Sequence, residues 1–216
     1  MSDVWDWEFA VEVLPKILEA LPLTLVVSLV GGVLAIVLGL LLALARLSPY
    51  PFASRSSGTV SKLLRGTPFL VQLFFVYYAL PQWGVRIDAF WTGVIVLCLY
   101  YSVYMADAFI SGVQTVSPTL IEVCAVINLT TAQAWRRVIL PLAVPRSSPS
   151  LMNYLIMALQ QSAVLMAIGL GVLLGRAQEI GYSSFRYLET YTICGLIYIV
   201  IAVPALLLVR RLEKRT

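Results

Sequence analysis

Long uncharged blocks alternate with short polar stretches along this chain, and the blocks predict its elements. From Leu21 to Ala45 no residue is charged, about 25 positions where about 20 suffice for a helix to cross a bilayer. Gly31, Gly32 and Gly39 inside that block predict close helix contact. A polar loop is expected through Arg46, Pro49, Pro51, Arg55 and Lys62, then a second span from about Gly66 to Leu80. After a short link, Pro81–Asp88, a third span runs from about Ala89 to Val116 and contains Asp107. Residues 117–146 are more polar and too long for a simple turn. The fourth span is expected from near Ser147, fading in the glycine-rich Gly169–Gly175. Arg176–Glu189 has the pattern of an interfacial helix, and the last span covers Thr190 to Val209. Ahead of them all, residues 1–20 alternate acids with Trp5, Trp7, Phe9, Val13, Leu14, Ile17 and Leu18. That fits an amphipathic helix at the bilayer surface with tryptophans at headgroup depth, or else a frayed polar tail.

The pattern predicts an all-α integral membrane protein of one domain with five transmembrane helices. Charge gives an independent orientation. Placing the C-terminus in the cytoplasm puts Arg46, Arg55, Lys62, Arg65, Arg136, Arg137, Arg146 and the bases after Val209 inside. Only Lys16, Arg86, Arg176 and Arg186 stay outside, with most of the acids. The expected topology is therefore multi-pass, with the N-terminus outside and the C-terminus in the cytoplasm.

Composition agrees and excludes other classes. The chain is 60% hydrophobic and 12% charged, where a soluble domain carries about 25% charged residues. Mean hydropathy is +0.90. The net charge of +4 comes from bases set between apolar blocks, not from a stripe interleaved with aromatics, so no nucleic-acid partner is expected. There is no histidine, which removes Ser-His and Cys-His catalysis and the commonest zinc ligand. Cys98, Cys124 and Cys194 are far apart and suit apolar packing, so no metal site is expected. The start, Met1-Ser-Asp-Val-Trp-Asp-Trp-Glu, is acidic where a signal peptide needs positive charge, so no cleaved signal is expected.

The segment from Ser117 to Pro141 predicts a helix–turn–helix on the cytoplasmic face. Ser117-Pro118 suits a helix start, and Thr119-x-x-Glu122 has the spacing of a capping box. Asn128 tolerates the left-handed conformation that closes a helix. Thr130-x-x-Gln133 offers a second capping box, and Pro141 is expected to end the second helix. Two short helices in a tight elbow make a rigid knob suited to docking.

Here the chain resembles the permeases of ABC importers, whose cytoplasmic signature is Glu-Ala-Ala, three residues, Gly, nine residues, then Ile-x-Leu-Pro. The spacing holds through Glu122, position 128 and Val138-Ile139-Leu140-Pro141. It departs at Val123 and Cys124, where the signature has alanines, and at Asn128, where it has glycine. Arg65-Gly66-Thr67-Pro68 with Gln72, and Phe185-Arg186-Tyr187-Leu188-Glu189-x-Tyr191, narrow the resemblance to the polar amino acid uptake group. Within it, Trp5-Asp6-Trp7 and Asn128-Leu129 look most like permeases for ectoine and hydroxyectoine.

The resemblance implies a bacterial inner (plasma) membrane location and a division of labour. A solute-binding protein, periplasmic or extracellular, delivers solute; two permease subunits, identical or homologous, form the path in the lipid; two cytoplasmic ATPases drive alternating access. This sequence has no G-x-x-x-x-G-K-[ST] loop, so ATP and magnesium would be held by the partner and no cofactor by this chain. It is expected to be a transport subunit and not an enzyme. Glu122, Asn128, Arg136, Arg137, Leu140 and Pro141 would couple ATPase closure to the membrane helices.

Candidate solute-path residues are Asp107, Gln160, Gln161, Ser162, Gln72 and Tyr101, the last with Tyr100 and Tyr104 beside it. A mid-span acid costs about 2.5–3.5 kcal/mol on insertion scales, so Asp107 either pairs with a solute or a neighbouring helix or is hydrated near the cytoplasmic end. The Gln160-Gln161-Ser162 triplet either lines the path or bonds between helices. The tyrosines either wall a cationic solute or belong to packing and the interfacial belt. In relatives a lysine and an acid stand at the Gln160-Gln161 position, and arginine at Ile110, so the pathway is expected to be altered. A small secondary transporter or channel without an ATPase is the alternative, which the elbow opposes. An intramembrane enzyme has no supporting residues.

Overall fold

The computed structural model describes residues 5–213, and the regular elements in that range are all helical, with no strand. Four helices are long and apolar enough to cross a membrane, within 21–46, 89–114, 131–168 and 187–211, and a helix pair bent by 100°, Pro51–Gly66 with Phe69–Trp83, supplies a fifth when counted as one span. Four of the five expected spans are therefore matched by single helices, and the second expected span by the bent pair, with several different boundaries.

The core is a pair of parallel helices, α2 (Leu21–Arg46) and α5 (Ala89–Gln114). Gly31, Ala35, Gly39 and Ala43 recur every fourth residue on α2 and are all buried, so the two backbones approach closely. A Cβ on Gly31 would lie 2.9 Å from the Leu97 Cβ, and one on Gly39 would lie 2.5 Å from the Met105 Cβ. Gly32 faces Leu155 on α8 (Leu140–Gln161) instead. That third helix runs antiparallel, and Gly112 of α5 sits against Ser147 and the Ala143 carbonyl.

The expected polar loop is instead a helix, α3 (Pro51–Gly66). Its serines dock it onto the end of α2: Ser54 Oγ donates to the Arg46 carbonyl at 3.1 Å and Ser57 Oγ to the Leu42 carbonyl at 3.1 Å. Carbonyls at a helix end need outside partners, and these serines supply them. The chain then bends by 100° into α4 (Phe69–Phe74), which continues through a π turn, Phe75–Ala79, and a 3-10 turn, Leu80–Trp83.

Pro141 does not end its helix. A single helical run extends over Thr131–Ile168, through α7 (Thr131–Ala134), a π turn (Trp135–Ile139), α8 and a 3-10 turn (Ser162–Ile168). The fourth span thus starts well before Ser147. The physical reason is the π turn. The Leu140 N–H reaches back to the Trp135 carbonyl, widening the register immediately before a residue that has no N–H to give. The same device precedes Pro81, where the Leu80 N–H reaches the Phe75 carbonyl.

At the opposite end of the bundle, α9 (Leu173–Ser184) is the expected interfacial helix, shifted toward the N-terminus. The last helix, α10 (Tyr187–Glu213), begins earlier than expected. Helix α1 (Trp7–Leu18) buries Ala10, Val13 and Ile17 in a cluster with Leu173, Ala177, Ile193 and Ile197 of α9 and α10. Its Trp7, Val11 and Leu14 stay exposed, so the segment is a helix packed on protein by one face. Residues 1–4 and 214–216 lie outside the described range, including the start of the expected surface segment and the bases Lys214 and Arg215.

Candidate functional site

The elbow is built as local chemistry dictates, with one exception. Helix α6 (Pro118–Val126) starts at Ser117 with Pro118 in its first turn, and Ser117 makes no side-chain cap bond, so the expected Thr119–Glu122 box is not formed. Starting the helix at the proline puts Thr119 inside it, where its hydroxyl cannot cap. Asn128 has φ 54°, the left-handed turn expected of it, and the Leu129 N–H closes back onto the Cys124 carbonyl. Thr130 then caps α7 in a full capping box: the Gln133 N–H donates to Thr130 Oγ1, and the Thr130 N–H donates to Gln133 Oε1 at 3.0 Å.

This elbow stands out from the bundle. Cys124 and Ala134 turn inward, while Glu122, Arg136, Arg137 and Pro141 are exposed and Leu140 is half-buried. Val126 is 79% and Ile127 60% exposed at the tip, beside Leu120, Ile121 and Val123. An apolar tip flanked by unpaired charge is the composition of a surface that another protein covers. Two ties join the elbow to the bundle. Arg146 Nη1 donates to the Thr115 carbonyl at 2.7 Å, and Gly112 lets α5 and α8 touch at the elbow's base.

Asp107 is brought together with two residues whose partnership the sequence reading left open. Arg46 Nη1 donates to one carboxylate oxygen at 2.6 Å, and Arg65 pairs with the other. Arg65 also lies 5.3 Å from the Tyr104 ring centroid. Arg46 ends α2 and Arg65 lies in the last turn of α3, so the acid sits near the end of the bundle that carries the elbow. Of the candidate tyrosines, Tyr101 is 3% exposed and packed in the core. Tyr100 and Tyr104 are half-buried and continue through Tyr154 of α8 into one aromatic cluster.

Gln72 braces the corner between α3 and α4: its Nε2 donates to the Leu64 carbonyl at 2.7 Å and to Thr67 Oγ1 at 2.8 Å. Its Oε1 is buried with no partner among the described residues. Ser162 donates to the Leu159 carbonyl and is buried, Gln161 is half-buried and Gln160 exposed, so the triplet does not act as one unit. Ile110 is half-buried, packed against the main core.

The sequence reading assigned no role to a clamp at the far end. The Asp6 side chain caps α1 by accepting from the Phe9 N–H at 3.1 Å, and pairs with Arg186. These bonds, the Phe9 N–H first and the Arg186 guanidinium next, hold the Asp6 carboxyl below its ordinary value. Glu189, 2% exposed, accepts from the Asp6 N–H at 3.1 Å, and Arg186 lies 5.2 Å from the Phe9 ring centroid. Trp5-Asp6-Trp7 and Arg186-x-x-Glu189 were the available signals, but nothing in their spacing says that they meet.

Residues 35–216 match the family described as binding-protein-dependent transport system inner membrane component. The chain is 36% identical over 197 residues to the probable amino-acid ABC transporter permease protein PatM of Vibrio harveyi, covering 90% of this chain and 88% of that one. It is 30% identical over 211 residues to the arginine transport system permease protein ArtQ of Bacillus subtilis, covering 97% and 96%. It superposes on a crystal structure of an amino acid ABC transporter with histidines at a TM-score of 0.91 and 32% identity, covering 98% and 99% of the two chains. Fold, exposed elbow and relatives agree: the chain belongs to the family of binding-protein-dependent transport system inner membrane components, the permease subunits of ABC transporters.

Proposed function

We propose that this chain is the membrane path of an ATP-driven importer of amino acids or of a related zwitterion such as ectoine. It works beside a second permease subunit, identical or homologous, on two cytoplasmic ATPases, and takes solute from a binding protein. The observation that carries this is the elbow, capped on both sides of Asn128 and exposing an apolar tip. In this reading the elbow faces the cytoplasm and the Asp6–Arg186 clamp faces outward, which agrees with the bases gathered on the elbow's side. Glu122, Asn128, Arg136, Arg137, Leu140 and Pro141 carry ATPase closure into α8.

The electrostatics of the spans support a solute with no net charge. Among the described residues, the acids within the candidate spans are Asp107 and Glu189, and arginines engage both. Neither is free to neutralise a cationic side chain. The half-buried Tyr100, Tyr104 and Tyr154 and the amide of Gln161 offer aromatic faces and neutral hydrogen bonds to a zwitterion. Asp107 with Arg46 and Arg65 then closes the inner end of that path.

Reconstitution with the matching ATPase and binding protein tests this. ATP-dependent uptake of ectoine or of a neutral polar amino acid is expected, with weaker uptake of arginine or lysine. Uptake that runs down a solute gradient without any ATPase would replace this reading with a channel or secondary transporter.

A further inference from the structure

A pocket lies apart from the elbow's tip, at the α2–α3 junction. It encloses about 360 Å³ and is lined by Arg46, Gly58, Ser61, Lys62, Arg65 and Gly66. Three cations meet there against the single carboxylate of Asp107, which Arg46 and Arg65 already share. Lys62 makes no ion pair among the described residues. The pocket is therefore positively charged after its internal pairing is complete.

Two further observations point to a ligand there. Ser61 is 5% exposed, and its hydroxyl has no hydrogen-bond partner among the described residues, although a buried hydroxyl left unmade is costly. Gly58 sits in the interior of a helix, where glycine is disfavoured relative to alanine. Neither turn geometry nor crowding explains it: its φ is not positive, and a Cβ there would meet nothing within 4 Å. The same holds for Gly66. Both glycines keep open the space beside the cations.

We propose that this pocket binds a phosphate group, with Lys62 and the free edges of Arg46 and Arg65 supplying charge and Ser61 a hydroxyl donor. Arg46 ends an apolar helix of 26 residues, about 39 Å long, which exceeds the hydrocarbon core and places the pocket at headgroup depth. An anionic phospholipid headgroup is the phosphate present in quantity at that depth. A soluble phosphate or nucleotide would meet the same groups from the water side. The proposal rests on the chain's being a membrane protein and not on which solute it carries.

Native mass spectrometry of the full-length chain in a zwitterionic detergent tests it, with phosphatidylglycerol against phosphatidylcholine, and inorganic phosphate or ATP titrated separately while Tm is followed. Retention of phosphatidylglycerol over phosphatidylcholine is expected. Lys62→Gln should weaken it about fivefold, the usual worth of one basic residue near an anionic surface. Gly58→Leu should block it, and Arg55→Gln, on the same helix but outside the pocket, should leave it unchanged. A Tm raised by phosphate or ATP with no lipid preference keeps the phosphate site and assigns it a soluble source. If wild type shows neither effect, or if Lys62→Gln binds like wild type, the proposal fails; Lys62→Gln decides the matter should Gly58→Leu not fold. Uptake with the ATPase is a separate measurement, so this failure is distinct from failure of the importer assignment.

Discussion

Arg46 Nη1 and Asp107 Oδ1 meet at 2.6 Å, joining the last residue of α2 to an acid seven positions before the end of α5. With Arg65 on the other oxygen, three helices converge on one carboxylate. Asp107→Asn keeps the size and removes the charge, leaving two guanidiniums facing each other. The site is partly open to solvent, so the expected loss is about 1–2 kcal/mol. Thermal unfolding in detergent measures it, and Arg65→Gln should cost much less in the Asp107→Asn background than alone. Equal costs in both backgrounds would count against the network.

Gly39 is required by the α2–α5 contact, because an added Cβ would meet the Ser102 carbonyl at 2.8 Å as well as Met105. Gly39→Ala is expected to destabilise by about 1–3 kcal/mol. Gly195, inside α10 with nothing within 4 Å of a built Cβ, should gain up to about 1 kcal/mol as alanine. Opposite shifts in Tm for these two identical substitutions are the expected result.

The elbow depends on one backbone conformation. Asn128→Gly should be tolerated, whereas Asn128→Val forces a branched side chain to positive φ at a cost of about 1–3 kcal/mol. Asn128→Val, or a bulky replacement of the exposed Glu122, should leave membrane insertion intact and uncouple ATP hydrolysis from uptake. Solute-stimulated ATPase activity equal to wild type in such a variant would remove the coupling role.

The clamp at the other end should respond to acid. Because the Asp6 carboxyl is held below its ordinary 3.8, its contribution is complete above about pH 3.8 and is lost as pH falls through the lower folded value. Fluorescence of Trp5 and Trp7 should therefore be flat between pH 5 and 8 and change only in stronger acid. In Asp6→Asn that acid transition should disappear.

What the sequence disclosed was what local rules govern. The left-handed Asn128 and the Thr130–Gln133 box depend on residues within three or four positions of each other, and both appear as expected. Helix α3 was not legible, because Ser54, Ser57, Gly58 and Ser61 read as a loop and the helix is held by bonds to the carbonyls of α2. Pro141 misled for a related reason. Proline stops an α-helix register, but a π turn just ahead of it removes the conflict. The pairing of Asp107 with Arg65 spans 42 residues, and the Asp6–Arg186 clamp 180, separations over which no spacing rule operates.

The helical run from Thr131 to Ile168 begins inside the elbow and ends beyond Gln161. At 1.5 Å per residue its 38 positions make a rod about 57 Å long, with one end in the elbow and the other among the candidate path residues. No loop interrupts it to take up slack. In the proposed coupling, a push on the elbow would be delivered along this helix or absorbed where Pro141, Pro145 and Pro149 thin its hydrogen bonding, so those three prolines would set its stiffness.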